Sequence, residues 1–116
     1  MGLMNVTRFA DAKPYETVNH HGCEAVRLQG LDISAVSDFW LGVSTFEPGG
    51  GADWDATAAE KVYLVLSGEI TVETESERVV LGPNDSVFIG PNERRRVVNE
   101  TNAPVVWAVM IAPPKK

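Results

Sequence analysis

Val62-Tyr63-Leu64-Val65-Leu66 is an apolar run rich in β-branched and aromatic residues, and across Ser67-Gly68-Glu69 it is followed at once by the alternating run Ile70-Thr71-Val72-Glu73-Thr74. Two such runs joined by a short glycine-containing turn predict a β-hairpin. The same grammar repeats along the chain. Glu24 to Gly30 places Val26 and Leu28 on opposite parity to Ala25 and Arg27, which reads as a strand with one apolar face. Phe39 to Phe46 is a second, more apolar strand, and Leu31 to Asp38 between them reads as a loop or a single helical turn. Pro48-Gly49-Gly50-Gly51 reads as a turn. Beyond the central hairpin, Arg78 to Leu81 returns along Ile70 to Thr74, and Gly82-Pro83-Asn84-Asp85 turns the chain into Ser86 to Ile89. Gly90-Pro91-Asn92-Glu93 turns it again into a strand from Arg94 to Asn99, and Thr101 to Pro104 leads to the last strand, Val105 to Ile111. No helical period is sustained, so short strands at regular spacing point to an all-β sandwich or barrel. Residues 1–22 carry no strong periodicity and read as an extended lead-in with a turn near Pro14 and His20, while 112–116 reads as a frayed tail.

Length and composition narrow the picture. A chain of 116 residues accommodates one domain, 1–116, with one core. With 44% hydrophobic and 22% charged residues it is neither disordered nor a membrane protein in composition, and no apolar run approaches a spanning length. Met1 to Glu16 lacks the basic start and continuous apolar core of a signal peptide, so a cytoplasmic location is expected. The single cysteine, Cys23, allows no internal disulfide. A net charge of −6 argues against nucleic acid, because phosphate binding needs a basic stripe and the only basic run is Arg94-Arg95-Arg96. Solvated arginines on a strand account for that run, and for Arg95 this reading is adopted.

The stretch from Pro48 to Gly68 follows the arrangement G-x5-H-x-H-x3-4-E-x6-G, and in that frame it resembles the first motif of the cupins. These are double-stranded β-helix, or jelly-roll, barrels of two antiparallel sheets that usually hold a metal between the sheets. The residue seven before Gly68 is Lys61 and the residue six after Gly49 is Asp55, so the ligand positions read Asp55, Thr57 and Lys61 where a typical cupin has His, His and Glu. The second cupin motif, G-x5-P-x-G-x2-H-x3-N, resembles Gly82 to Asn99; its histidine position falls at Arg96, Glu93 replaces a glycine, and Asn99 comes one residue early. Glu60 lies next to the glutamate position, but its parity turns it outward.

Alternation then decides which side chains enter the barrel. Lys61, Tyr63 and Val65 share one face, Asp55 and Thr57 share another, and Arg94, Arg96 and Val98 a third, giving a lining of Asp55, Thr57, Lys61, Tyr63 and Arg96 with apolar walls from Val43, Val65 and Trp107. Such a set serves a divalent cation badly: threonine is a weak ligand, arginine has no lone pair to give, and lysine must first lose its proton. A unit charge about 4 Å from a divalent ion repels it by about 8 kcal/mol at an effective dielectric near 20. No metal and no other cofactor is expected.

The lining suits an anion. Arg96 offers a planar fork to a carboxylate and Lys61 a mobile ammonium, so a small acidic metabolite is the expected ligand. Burial and a neighbouring cation lower the pKa of Lys61 and Asp55 raises it, leaving the charge state open. Lys61 is the candidate base or Schiff-base amine, Asp55 its proton partner, and Tyr63 a candidate acid whose more ordinary role is a core aromatic. Arg94, Thr57 and Trp54 are further candidate substrate contacts, Trp54 at the pocket rim or in a subunit contact. His20 and His21 complete the set; vicinal rings in an extended chain point to opposite sides, so one at most enters, and a surface turn suits both. Cys23 reads as a small buried hydrophobe. The competing structural account is a buried Lys61–Asp55 ion pair that does no chemistry. The expected function is thus a metal-independent lyase, isomerase or decarboxylase, a non-catalytic small-molecule binder, or a structural homodimer. Dimerisation is expected from open sheet edges and the apolar strand Phe39 to Phe46.

Overall fold

The computed structural model describes residues 4–114, and nearly all its regular structure is β. After one 3-10 turn (Phe9–Asp11) come β1 (Lys13–Pro14), β2 (His20–Gln29), β3 (Trp40–Asp55), β4 (Glu60–Ser67), β5 (Ile70–Thr74), β6 (Arg78–Leu81), β7 (Ser86–Ile89), β8 (Arg95–Val98) and β9 (Val105–Ala112). All pairs are antiparallel, in the order β6-β5-β8-β3-β9-β4-β7, with β2 alongside β3. Strand β3 belongs to both layers: Trp40 to Phe46 pairs with β9, and Gly51 to Asp55 pairs with β8. The result is the expected all-β barrel of two antiparallel layers, folded about one long strand.

That long strand corrects one expectation. Pro48 to Gly51 is strand rather than turn. Three consecutive glycines without side chains let β2 and β8 close on β3: a Cβ on Gly50 would stand 2.3 Å from the Gly22 carbonyl oxygen, and one on Gly51 would stand 2.0 Å from that of Val97. Backbone groups take up the freed space, for the Gly49 N–H donates to the Asn99 carbonyl and the Asn99 N–H to that of Gly50, both at 2.8 Å. The fully buried Asn99 side chain closes the same corner. Its Nδ2 donates to the Phe46 and Ala103 carbonyls, while its Oδ1 accepts from the backbone N–H and hydroxyl of Thr101. No donor or acceptor of the amide is left idle, as a polar group at this depth requires.

The core lies between the layers, with Phe46, Val65, Ile70, Ile89, Val97 and Val105 almost completely enclosed. On β4 the alternation is complete: Lys61, Tyr63 and Val65 are buried, while Val62, Leu64 and Leu66 face out. Of the lead-in read as residues 1–22, the part around the 3-10 turn is extended and β1 pairs with β2, but His20 to Gly22 open β2 rather than form a turn, and residues 1–3 lie outside the described residues. Ala112 closes β9 instead of opening the tail, and Lys115 and Lys116 lie outside the described residues. The 31–38 segment forms turns without a helix.

Candidate functional site

A cavity of about 310 Å³ opens between the layers, walled by Tyr15, Trp40, Tyr63 and Trp107 and edged by polar groups from β3, β4, β8 and the lead-in. Strand β4 delivers Lys61 and Tyr63 to it, the end of β3 delivers Asp55, and the segment between β3 and β4 delivers Thr57. Tyr63 stacks on Trp107 with centroids 4.2 Å apart, and Phe46 meets Trp107 edge-on at 5.3 Å, so the inner wall is a rigid aromatic stack. The lead-in supplies the opposite wall. Tyr15 meets Trp40 edge-on, and the Arg27 guanidinium lies 4.3 Å from the Tyr15 ring and 4.6 Å from the Trp40 ring, bracing both. Burial pushes the Tyr15 hydroxyl up to about 12, so it stays protonated.

Lys61 is only 4% exposed. Its Nζ donates to Thr57 Oγ1 at 2.9 Å, and among the described residues no carboxylate oxygen lies within 4 Å of it. The Lys61–Asp55 ion pair of the competing structural account is therefore not formed. Asp55 lines the same cavity but turns its oxygens to the Ala56 N–H and to Asn19 Nδ2. Those hydrogen bonds, first among them the Ala56 N–H, hold the Asp55 carboxyl below its ordinary range. Burial, then the Arg95 charge, lowers the Lys61 pKa, and Asp55 opposes them.

The cationic partner of Lys61 is not the one expected. Arg96 turns away from the cavity and pairs with Glu73 at 2.8 Å, whereas Arg95, read from sequence as solvated, is buried inside. Arg95 Nε donates to the Tyr63 hydroxyl at 3.1 Å and its Nη1 to the Asp53 carbonyl at 3.0 Å. Pairing settles the face: Arg95 sits opposite Asp55 and Thr74, and Val97 follows it inward. The signal was present in the chain, because Asn99 falls one residue early for the motif and counting back from it lands on Arg95. Arg94 shares the exclusion, lying exposed with its guanidinium 5.2 Å from the Trp54 ring, and Trp54 is not among the cavity walls.

Two parity readings also change. Ser44 rather than Val43 faces the cavity, since Val43 pairs across the outer side of β3 with Val26 and Ala108. Trp107 is a wall as expected, and Val65 lies deeper in the core. The histidines split: His20 lines the cavity, stacked 6.4 Å from Phe46, and His21 faces Asp53 at 3.6 Å on the surface. Because the Val18 carbonyl 2.7 Å away can only accept, His20 Nδ1 carries the proton, and burial lowers the ring's pKa. Its Nε2 is then an acceptor. Cys23 is half-buried and its thiol is pushed up by burial. Sequence reading missed Tyr15 and Glu16, which lie in a lead-in without periodicity, and Trp40, which shares the face of Ser44 on β3 and was lost when the face of Val43 was taken as the inner one.

The usual cupin metal positions thus hold Asp55, Thr57, Lys61 and Arg95. One carboxylate with two cations does not fit a divalent ion, and among the described residues no three His, Cys, Asp or Glu side chains converge.

Among proteins of known sequence, the chain is 37% identical over 111 residues to a β-D-galactosidase of Mycobacterium tuberculosis, covering 96% of each. Its fold matches that of the polyketide cyclase RemF of Streptomyces resistomycificus, with a TM-score of 0.84 at 16% identity over 96% of this chain and 80% of that one. It likewise matches an RmlC-like cupin of Shewanella frigidimarina, with a TM-score of 0.78 at 16% identity over 97% and 94% of the two chains. The family model for the cupin domain, Cupin_2, covers residues 42–111, so this chain belongs to the cupin family.

Proposed function

We propose that the barrel binds a small carboxylate that also carries a carbonyl or hydroxyl group, and acts on it by proton transfer at Lys61. One observation carries this reading: Lys61 is a buried cavity lysine with no carboxylate partner among the described residues. A charge held that way gains most from an anionic ligand, and Arg95 adds a second cation to the same cavity. In the neutral form Lys61 is a base, with Asp55 and His20 in the same cavity to pass a proton. Lactate and pyruvate are the first probes. Calorimetry should show Lys61→Met weakening their binding about 10- to 100-fold, the worth of one charge-assisted hydrogen bond, and Arg96→Met leaving it unchanged. Binding should also fade as pH rises through the lowered pKa of Lys61, below the ordinary 10.5, because the cation is lost there. Equal isotherms for wild type and Lys61→Met would retire the reading.

A second reading is favoured by the galactosidase relative together with the aromatic walls and two carboxylates, Asp55 and Glu16, at one cavity. Glycoside hydrolysis needs such a carboxyl pair. Release of nitrophenol from nitrophenyl β-D-galactoside, lost in Asp55→Asn, would favour this reading over the first.

The homodimer expected from the sequence gains a surface. Val62, Leu64, Phe88 and Met110 are exposed neighbours on the outer faces of β4, β7 and β9. A clustered apolar face on a small acidic protein is the kind of surface a second copy covers. Light scattering should return the mass of two chains; the mass of one chain would refute the dimer.

A further inference from the structure

Lys61 is placed for more than proton transfer. It is enclosed by aromatic walls, held by a single hydrogen bond to Thr57 Oγ1, free of any ion pair among the described residues, and shares its cavity with the buried cation of Arg95. These are the two conditions that make a lysine amine nucleophilic, desolvation in an apolar pocket and a neighbouring positive charge. A hydroxyl that accepts one N–H fixes the nitrogen at the wall without holding it as the ammonium, as a carboxylate would. Resting on the small-acid reading above, we propose that Lys61 is a covalent nucleophile whose amine condenses with the aldehyde or ketone carbon of a small oxo acid to form a Schiff base.

The step balances with the groups present. Unprotonated Nζ adds to the carbonyl carbon; the carbonyl π pair becomes an oxygen lone pair that takes a proton, and the nitrogen gives one up. Expulsion of that oxygen, with one further proton, releases a single water and leaves a C=N iminium on Lys61. The Asp55 carboxyl and the His20 ring share the cavity and can carry those protons. Arg95 supplies the charge that seats the acid's carboxylate, and its hydrogen bond from Nε to the Tyr63 hydroxyl fixes its plane. Nothing is oxidised or reduced, so no co-reactant is required. The iminium then serves as an electron sink for a bond broken at the carbon next to it, releasing carbon dioxide from a 3-oxo acid or a proton from a 2-oxo acid. This would place the chain among enzymes that act on 2-oxo or 3-oxo acids.

Trapping tests it directly. Wild-type protein is incubated with glyoxylate or pyruvate and cyanoborohydride near neutral pH, and the reduced adduct is located by peptide mass mapping. Lys61 should be modified at least 10-fold faster than Lys13, Lys115 and Lys116, and the fast adduct should vanish in Lys61→Arg, which keeps the cation and loses the nucleophile. Modification of Lys61 no faster than of the other lysines overturns the proposal, a readout that needs no variant to fold. Lactate separates this failure from failure of the binding reading, because it has no carbonyl to attack. If lactate binds in a Lys61-dependent way while no Lys61 adduct forms, only the nucleophile is lost; if neither lactate nor pyruvate binds and no adduct forms, both fall.

Discussion

Adding one methyl group at Gly51 is expected to cost about 4 kcal/mol or more, a large share of the 5 to 15 kcal/mol that holds a domain together. The new Cβ would stand 2.0 Å from the Val97 carbonyl oxygen and 3.0 Å from Val98 Cα, both backbone atoms that cannot rotate aside. To relieve the contact, β3 must part from β8 where Gly51 pairs with Val98, and that pairing brings Arg95 to the cavity. Gly49→Ala separates crowding from backbone conformation. Gly49 has φ of 80°, but nothing lies within 4 Å of its missing Cβ, so alanine there should cost only the left-handed penalty, about 1 to 2 kcal/mol. Urea unfolding of both variants decides the matter. Equal losses would show that the strand crossing is looser than its geometry.

Arg95→Met is expected to destabilise the chain by about 3 kcal/mol, whereas Arg96→Met should cost about 1 kcal/mol or less. The first removes a buried guanidinium from the Tyr63 hydroxyl and the Asp53 carbonyl and leaves both without that partner, at about 1 to 3 kcal/mol each. Loss of like charge beside Lys61 offsets a part. The second breaks a half-exposed pair with Glu73, of the kind whose contribution is about 0 to 1 kcal/mol. At roughly 4 to 8 °C per kcal/mol for a domain near this size, thermal unfolding should separate the neighbours by about 10 °C. A larger loss for Arg96→Met would mean that β8 presents the other face to the barrel.

That comparison marks the boundary of what the chain declared in advance. The cupin barrel, most strand positions and the inward face of β4 were legible in the sequence. Those are local matters: apolar alternation fixes a face within one strand, and turn residues punctuate strands whatever lies opposite. Lys61 and Tyr63 were placed correctly for that reason. Pro48 to Gly51 was misread because glycine has the same local signature in a turn as in a strand crossing, and only the approach of Gly22 and Val97 shows which it is. Strand β8 was placed one residue out of phase, since three consecutive arginines carry no apolar alternation and the phase comes instead from pairing with Thr71 to Thr74. The aromatic wall of Tyr15 and Trp40 depends on where a lead-in without periodicity lies over the barrel, and the separation of Lys61 from any carboxylate depends on Asp55 finding nearer donors. Residue types set which chemistry was available; the early Asn99 pointed to Arg95, but contacts between residues distant in the chain decided that Arg95 and not Arg96 shares the cavity with Lys61.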